Sequence, residues 1–103
     1  MSLNKLNGLL GIASKAGKLS YGFNDSIFAL KSKKALLFLC DSSISQKTEK
    51  ELRFYGEKQN IQLYKIANTD FNLSDIVGRS CKVISVNDKS FAKGIKDALK
   101  MEE

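Results

Sequence analysis

Histidine is absent from this 103-residue chain, and with it goes the side chain that most often serves as general base or completes a Ser-His or Cys-His nucleophile pair. Enzymatic function is therefore not expected. Cysteine is scarce: Cys40 and Cys81 stand alone, both inside or beside apolar, strand-like runs, which favours two buried, reduced thiols over a disulfide. Two thiols without a histidine do not make up a structural zinc set, and no metal or cofactor is expected. No uninterrupted apolar run approaches the ~18 residues of a membrane span, and no basic segment leads into an apolar block with a cleavage site. The expectation is a cytoplasmic chain without a membrane partner. The sequons at Asn24 and Asn72 then carry no information, because glycosylation needs a secretory route.

What is present fits one globular domain over residues 1–103, with an apolar fraction of 43% and a charged fraction of 27% that exclude the disordered and membrane classes. The charge is uneven. Seventeen Lys and Arg against eleven Asp and Glu give +6, and residues 1–40 hold six of those bases (Lys5, Lys15, Lys18, Lys31, Lys33, Lys34) against the single acid Asp25. An excess concentrated in one stretch points to a polyanion docking on one side of the molecule, the plain alternative being charge that only aids solubility.

Apolar spacing predicts the elements. Leu3, Leu6, Leu10 and Ala13 mark a first helix, capped by Ser2 and ending near Gly17. Lys18–Tyr21 reads as a short strand, and Asn24 as the cap of a second helix with Ile27, Ala29 and Leu30 inward. Ala35–Cys40 (ALLFLC) is apolar on both faces, the mark of a central strand covered by helices above and below. Ser43 and Gln46 resemble a capping box for a third helix that carries Ile44, Thr48, Leu52 and Tyr55 inward and stops at Asn60. Ile61–Ile66 alternates as a strand, Thr69 or Asp70 can cap a short helix ending at Gly78, and Lys82–Val86 is a fourth strand. Asp88 caps a last helix with Phe91, Ile95, Ala98 and Leu99 on one face and Lys89, Lys93, Lys96 and Lys100 outward. The predicted fold class is α/β: a three-layer α-β-α sandwich around a four-stranded sheet, mixed or parallel, with the mixed form as the expectation.

Few motifs carry chemistry. Gly11–Lys18 (GIASKAGK) is not a phosphate loop: five residues separate its glycines, Leu19 stands at the Ser/Thr position, and a helix comes first. Asp41, Asp70, Asp75 and Asp88 are scattered among caps and loops, so no acid–base pair is fixed by spacing, although Asp41 ends the central strand, where α/β folds often keep functional groups. The stretch Ser14–Lys34 is richer. Asn24 and Asp25 at a helix start either cap it or present an amide and a carboxylate to the edges of irregularly paired bases. Phe28 and Lys31 share the face of Asn24, and Phe28 is either core or an exposed stacking ring.

Gly17-Lys18-Leu19, Gly22-Phe23-Asn24-Asp25, Ala29 and Lys34 before the apolar strand, and Leu73–Ser80 (LSDIVGRS) resemble, over about residues 3–99, the kink-turn RNA-binding ribosomal protein family of large-subunit proteins seven-Ae and thirty-e, its bacterial YlxQ-like branch in particular. The resemblance implies an α-β-α sandwich that binds kinked or otherwise structured RNA, ribosomal RNA and the ribosome included, through the start of the second helix and an apolar clasp from the later loop. Carried over, the RNA-binding set is Lys15, Lys18, Gly22, Asn24, Asp25, Phe28, Lys31, Ile76, Val77, Gly78 and Arg79. Asp25 stands where the family has glutamate, Phe28 where lysine is usual, and Ser20 and Tyr21 where basic residues are common. The alternative function is a protein-interaction module of the same fold, using Phe28, Ile76 and Val77.

Overall fold

The computed structural model describes residues 3–101; the expected Ser2 cap and the Leu3 side chain lie outside what is described. The elements are α1 (Leu3–Lys15), β1 (Leu19–Tyr21), α2 (Gly22–Lys31), β2 (Leu37–Asp41), α3 (Gln46–Glu57), β3 (Leu63–Ile66), α4 (Leu73–Val77), β4 (Val83–Val86) and α5 (Lys89–Met101). Their order is the predicted alternation.

The sheet is mixed, in the order β1-β4-β2-β3. β2 and β3 run parallel, joined across α3 as a parallel pair must be, whereas β4 inserts between β1 and β2 and is antiparallel to both. Every residue of β2 is buried. The period of two along this strand sends Leu37 and Leu39 to one face, packed with Leu6 and Leu10 of α1, Leu73 of α4 and Ile95 of α5. Phe38 and Cys40 go to the other, against Ile27 and Leu30 of α2 and Leu52 of α3. The three layers follow directly. Among the described residues no helix is long and apolar enough to cross a membrane.

Helix ends show where local reading needed correction. The α3 cap is Ser45, whose Oγ accepts from Thr48 N at 3.2 Å, not Ser43, which is drawn off to donate through its N–H and hydroxyl to Asp41 Oδ1. The α4 cap is Asn72, accepting from Asp75 N at 3.1 Å, rather than Thr69 or Asp70. Asp88 caps α5 as expected, its Oδ2 accepting from Phe91 N at 3.0 Å. Gly17, Lys33 and Asn60 each follow a helix in the left-handed conformation, and each is the pivot of a paired closing bond: Lys18 N to Ala13 O, Lys34 N to Ala29 O and Ile61 N to Gly56 O.

Asp41 is a joint between elements. It is buried, and its Oδ2 accepts from Leu73 N at 3.2 Å while Oδ1 takes the two Ser43 donors, tying the end of the central strand to the start of α4. Both cysteines are buried and free. Burial pushes the Cys40 thiol up to about 12, and burial followed by the nearby Asp41 charge raises Cys81, so neither is a nucleophile near neutral pH.

Candidate nucleic-acid interface

The site begins where α1 stops. Gly17 (φ 72°) reverses the chain, Lys18 is left exposed, and β1 is held at the sheet edge by Asn87, whose N–H donates to Lys18 O at 2.9 Å. The Asn87 side chain donates to Ser20 Oγ and accepts from Ser85 Oγ, both at 2.9 Å. A short edge strand is thereby fixed by side chains as well as by its ladder.

From β1 the chain enters α2 with no intervening loop. Gly22, at φ 84°, makes this possible, because a side-chain-bearing residue is disfavoured in that conformation. Helix α2 therefore starts at Gly22, two residues before the expected cap, and Tyr21 occupies the N-cap position without a side-chain capping bond to the first-turn N–H groups. Asn24 is consequently not a cap. It lies in the first turn beside Asp25, both exposed, and among the described residues neither side chain makes a hydrogen bond within the protein. The first-turn N–H groups are also left without a side-chain acceptor, so donors, a partial positive charge, an amide and a carboxylate face outward together.

A second segment closes on this one through Tyr21. Ser14 Oγ donates to Val77 O at 3.0 Å, which leaves the Tyr21 hydroxyl as the donor in its 2.6 Å bond with Ser14 Oγ. The Arg79 guanidinium lies over the Tyr21 ring, 4.6 Å from its centroid. Two stretches far apart in sequence, Ser14–Tyr21 and Val77–Arg79, thus meet at one aromatic ring. Neither Ser14 nor Tyr21 was among the expected site residues; the only local signal was a polar residue, Ser14, beside the apolar stripe of α1.

The other expected residues are distributed unevenly. Gly78 (φ 73°) ends α4 and turns Arg79 toward Tyr21. Val77 is buried in the core with Leu73, and its carbonyl accepts from Ser14 Oγ. Ile76 is half-buried against the same core. Lys15 is exposed in the last turn of α1. Phe28 is 69% exposed, so its core alternative falls. With Lys31 it lines a separate groove of about 360 Å³ between α2 and α3, which Asn24 joins at one end.

Three comparisons bear on this architecture. The family model described as the ribosomal protein L7Ae/L30e/S12e/Gadd45 family matches residues 4–95. RNA-binding protein YlxQ of Enterococcus faecium is 24% identical over 95 residues, covering 92% of this chain and 91% of that protein. Among solved structures, a Bacillus halodurans protein of unknown function superposes with a TM-score of 0.84 at 24% identity, covering 93% of this chain and 97% of its own. The Giardia lamblia 15.5kD RNA binding protein does so with a TM-score of 0.74 at 17% identity, covering 97% and 85%. At these identities the structural likeness speaks to the fold.

Proposed function

The chain belongs to the ribosomal protein L7Ae/L30e/S12e/Gadd45 family, and from that premise we propose that it binds structured RNA, kinked RNA in particular, as a single-domain cytoplasmic accessory of the ribosome that performs no catalysis. The observation that carries this reading is the meeting of the Gly22–Asp25 helix start with Arg79 over Tyr21. Uncapped N–H groups and the Asn24 and Asp25 side chains supply partners for base edges, and Lys15, Lys18 and Arg79 supply phosphate contacts. The relative named for RNA binding spans nearly the whole chain, which favours this reading over a protein-interaction module.

Titration of a kinked RNA and a plain duplex over a range of salt tests it. Asn24→Ala is expected to weaken the kinked RNA by about 5- to 150-fold, the worth of one good base-edge contact, and to leave the duplex nearly unchanged. Lys18→Gln is expected to weaken both and to lower the log–log salt slope by about 0.7 to 0.9, one phosphate's share. No binding to either RNA at low salt, or equal losses for Asn24→Ala on both, would overturn the proposal.

A further inference from the structure

Phe28 is the most exposed large apolar side chain described in the protein, at 69%, and it stands one helical turn beyond Asn24 on the same face. Phe54, exposed on α3, already has partners: the Lys58 ammonium lies 4.3 Å from its ring centroid, and Tyr55 meets it edge-on at 5.5 Å. Among the described residues Phe28 has no such aromatic or cationic partner. It forms one wall of the groove between α2 and α3, whose floor is apolar, from Ile27 and Tyr55, and whose rims carry Lys31 on α2 and Glu51 on α3.

We propose that this groove takes one unpaired nucleobase, stacked on the Phe28 ring, from a single-stranded segment that leaves the structured RNA at the start of α2. The inference rests on the RNA-binding reading above and extends it to a second contact. A free ring face, an apolar floor and an adjacent lysine are what sequence-tolerant single-strand binding uses, the ring for the base and the cation for the backbone. Charge orients the strand. Lys31 draws the phosphate to the α2 rim, while Glu51 repels it, so the base edge rather than the backbone faces α3. Continuity supplies the register, because Asn24 belongs both to the groove and to the exposed first turn of α2. A protein segment filling the same groove is the competing occupant.

The test compares a kinked RNA that ends flush with the same RNA bearing a four-nucleotide single-stranded extension. Wild-type protein is expected to bind the extended RNA more tightly than the flush one, and Phe28→Ala to abolish that difference, losing about 5- to 150-fold more on the extended RNA than on the flush one, the worth of one base–aromatic stack. Phe28→Tyr should retain the preference, and Lys31→Gln should lower the salt slope for the extended RNA by about 0.7 more than for the flush one. Ultraviolet crosslinking should join the extension to Phe28. Equal affinity of wild-type protein for the two RNAs, with no crosslink at Phe28, overturns the groove proposal alone and leaves RNA binding standing. Failure to bind either RNA overturns both.

Discussion

Among the glycines, Gly56 has the least room around it. It is buried in α3, and a Cβ there would come well inside 3.0 Å of the Ile61 carbonyl oxygen, with the Phe38 ring at 3.5 Å behind it. The oxygen belongs to the turn that closes α3 by bonding Ile61 N to Gly56 O, so it cannot move without loosening that turn. Gly56→Ala is therefore expected to destabilise the protein by about 1–3 kcal/mol despite alanine's better helix propensity. Gly8, in α1, has nothing within 4 Å of its Cβ position, and Gly8→Ala should stabilise by up to about 1 kcal/mol. Urea unfolding of the pair checks both, and a shared sign would refute the steric argument. Gly22 differs from each, since its Cβ position is open and only its φ of 84° demands glycine.

The helices are stopped by their closing turns more than by their composition. Gly17 and Gly78 take the left-handed position at the ends of α1 and α4, and Asn60 takes it after α3, residues suited to that conformation. After α2 the position falls to Lys33, at φ 61°. A lysine there carries backbone strain of about 1 kcal/mol, and its side chain is exposed. Lys33→Gly should raise stability by roughly that amount, seen as a rise of several degrees in melting temperature for a chain of this size. A fall in melting temperature would show that the Lys33 side chain contributes more to the fold than its backbone costs. The same element explains the position of the candidate interface, since α2 begins directly from a strand at Gly22 and ends in the Lys31–Lys34 basic turn.

Across the whole molecule, stability should respond to alkali more than to acid. Both thiols are raised by burial, Cys40 from its ordinary 9.0 to about 12. A raised acid favours its protonated form in the folded state, so the contribution is complete below pH 9 and declines as pH climbs from 9 toward 12, where the unfolded chain ionises first. On the acid side Glu49 is lowered, chiefly by its hydrogen bonds to Lys65 and Arg53 at 3.0–3.3 Å. Its contribution is present above about 4.5 and is lost below, and it is small because the ion pairs lie at the surface. Denaturant midpoints measured from pH 3 to 11 should fall more steeply at the alkaline end, and Cys40→Ala should flatten that limb. An unchanged limb in the variant would refute the assignment.

What the sequence by itself determined was whatever has a local period or a local cap. The nine alternating elements, the doubly covered β2, the Asp88 cap and the amphipathic α5 all follow from residues within a few positions of one another, as does Asn24 beside Asp25 as a candidate at a helix start, whereas Gly22 became a candidate only through the resemblance to the family. The tertiary structure decided what depends on partners far along the chain. The place of β4 between β1 and β2 was open, because antiparallel and parallel neighbours give a buried strand the same apolar run. The caps at Ser45 and Asn72 displaced nearer-looking candidates once Asp41 claimed Ser43 and the start of α4. Asn24 became an exposed group rather than a cap because Gly22 lets the helix start earlier, and Val77 became core because its helix packs on α1. Ser14, Tyr21 and Arg79 acquire their meaning only where Val77 O, 63 residues from Ser14, comes within reach, since a contact across that separation leaves no periodic trace in the sequence.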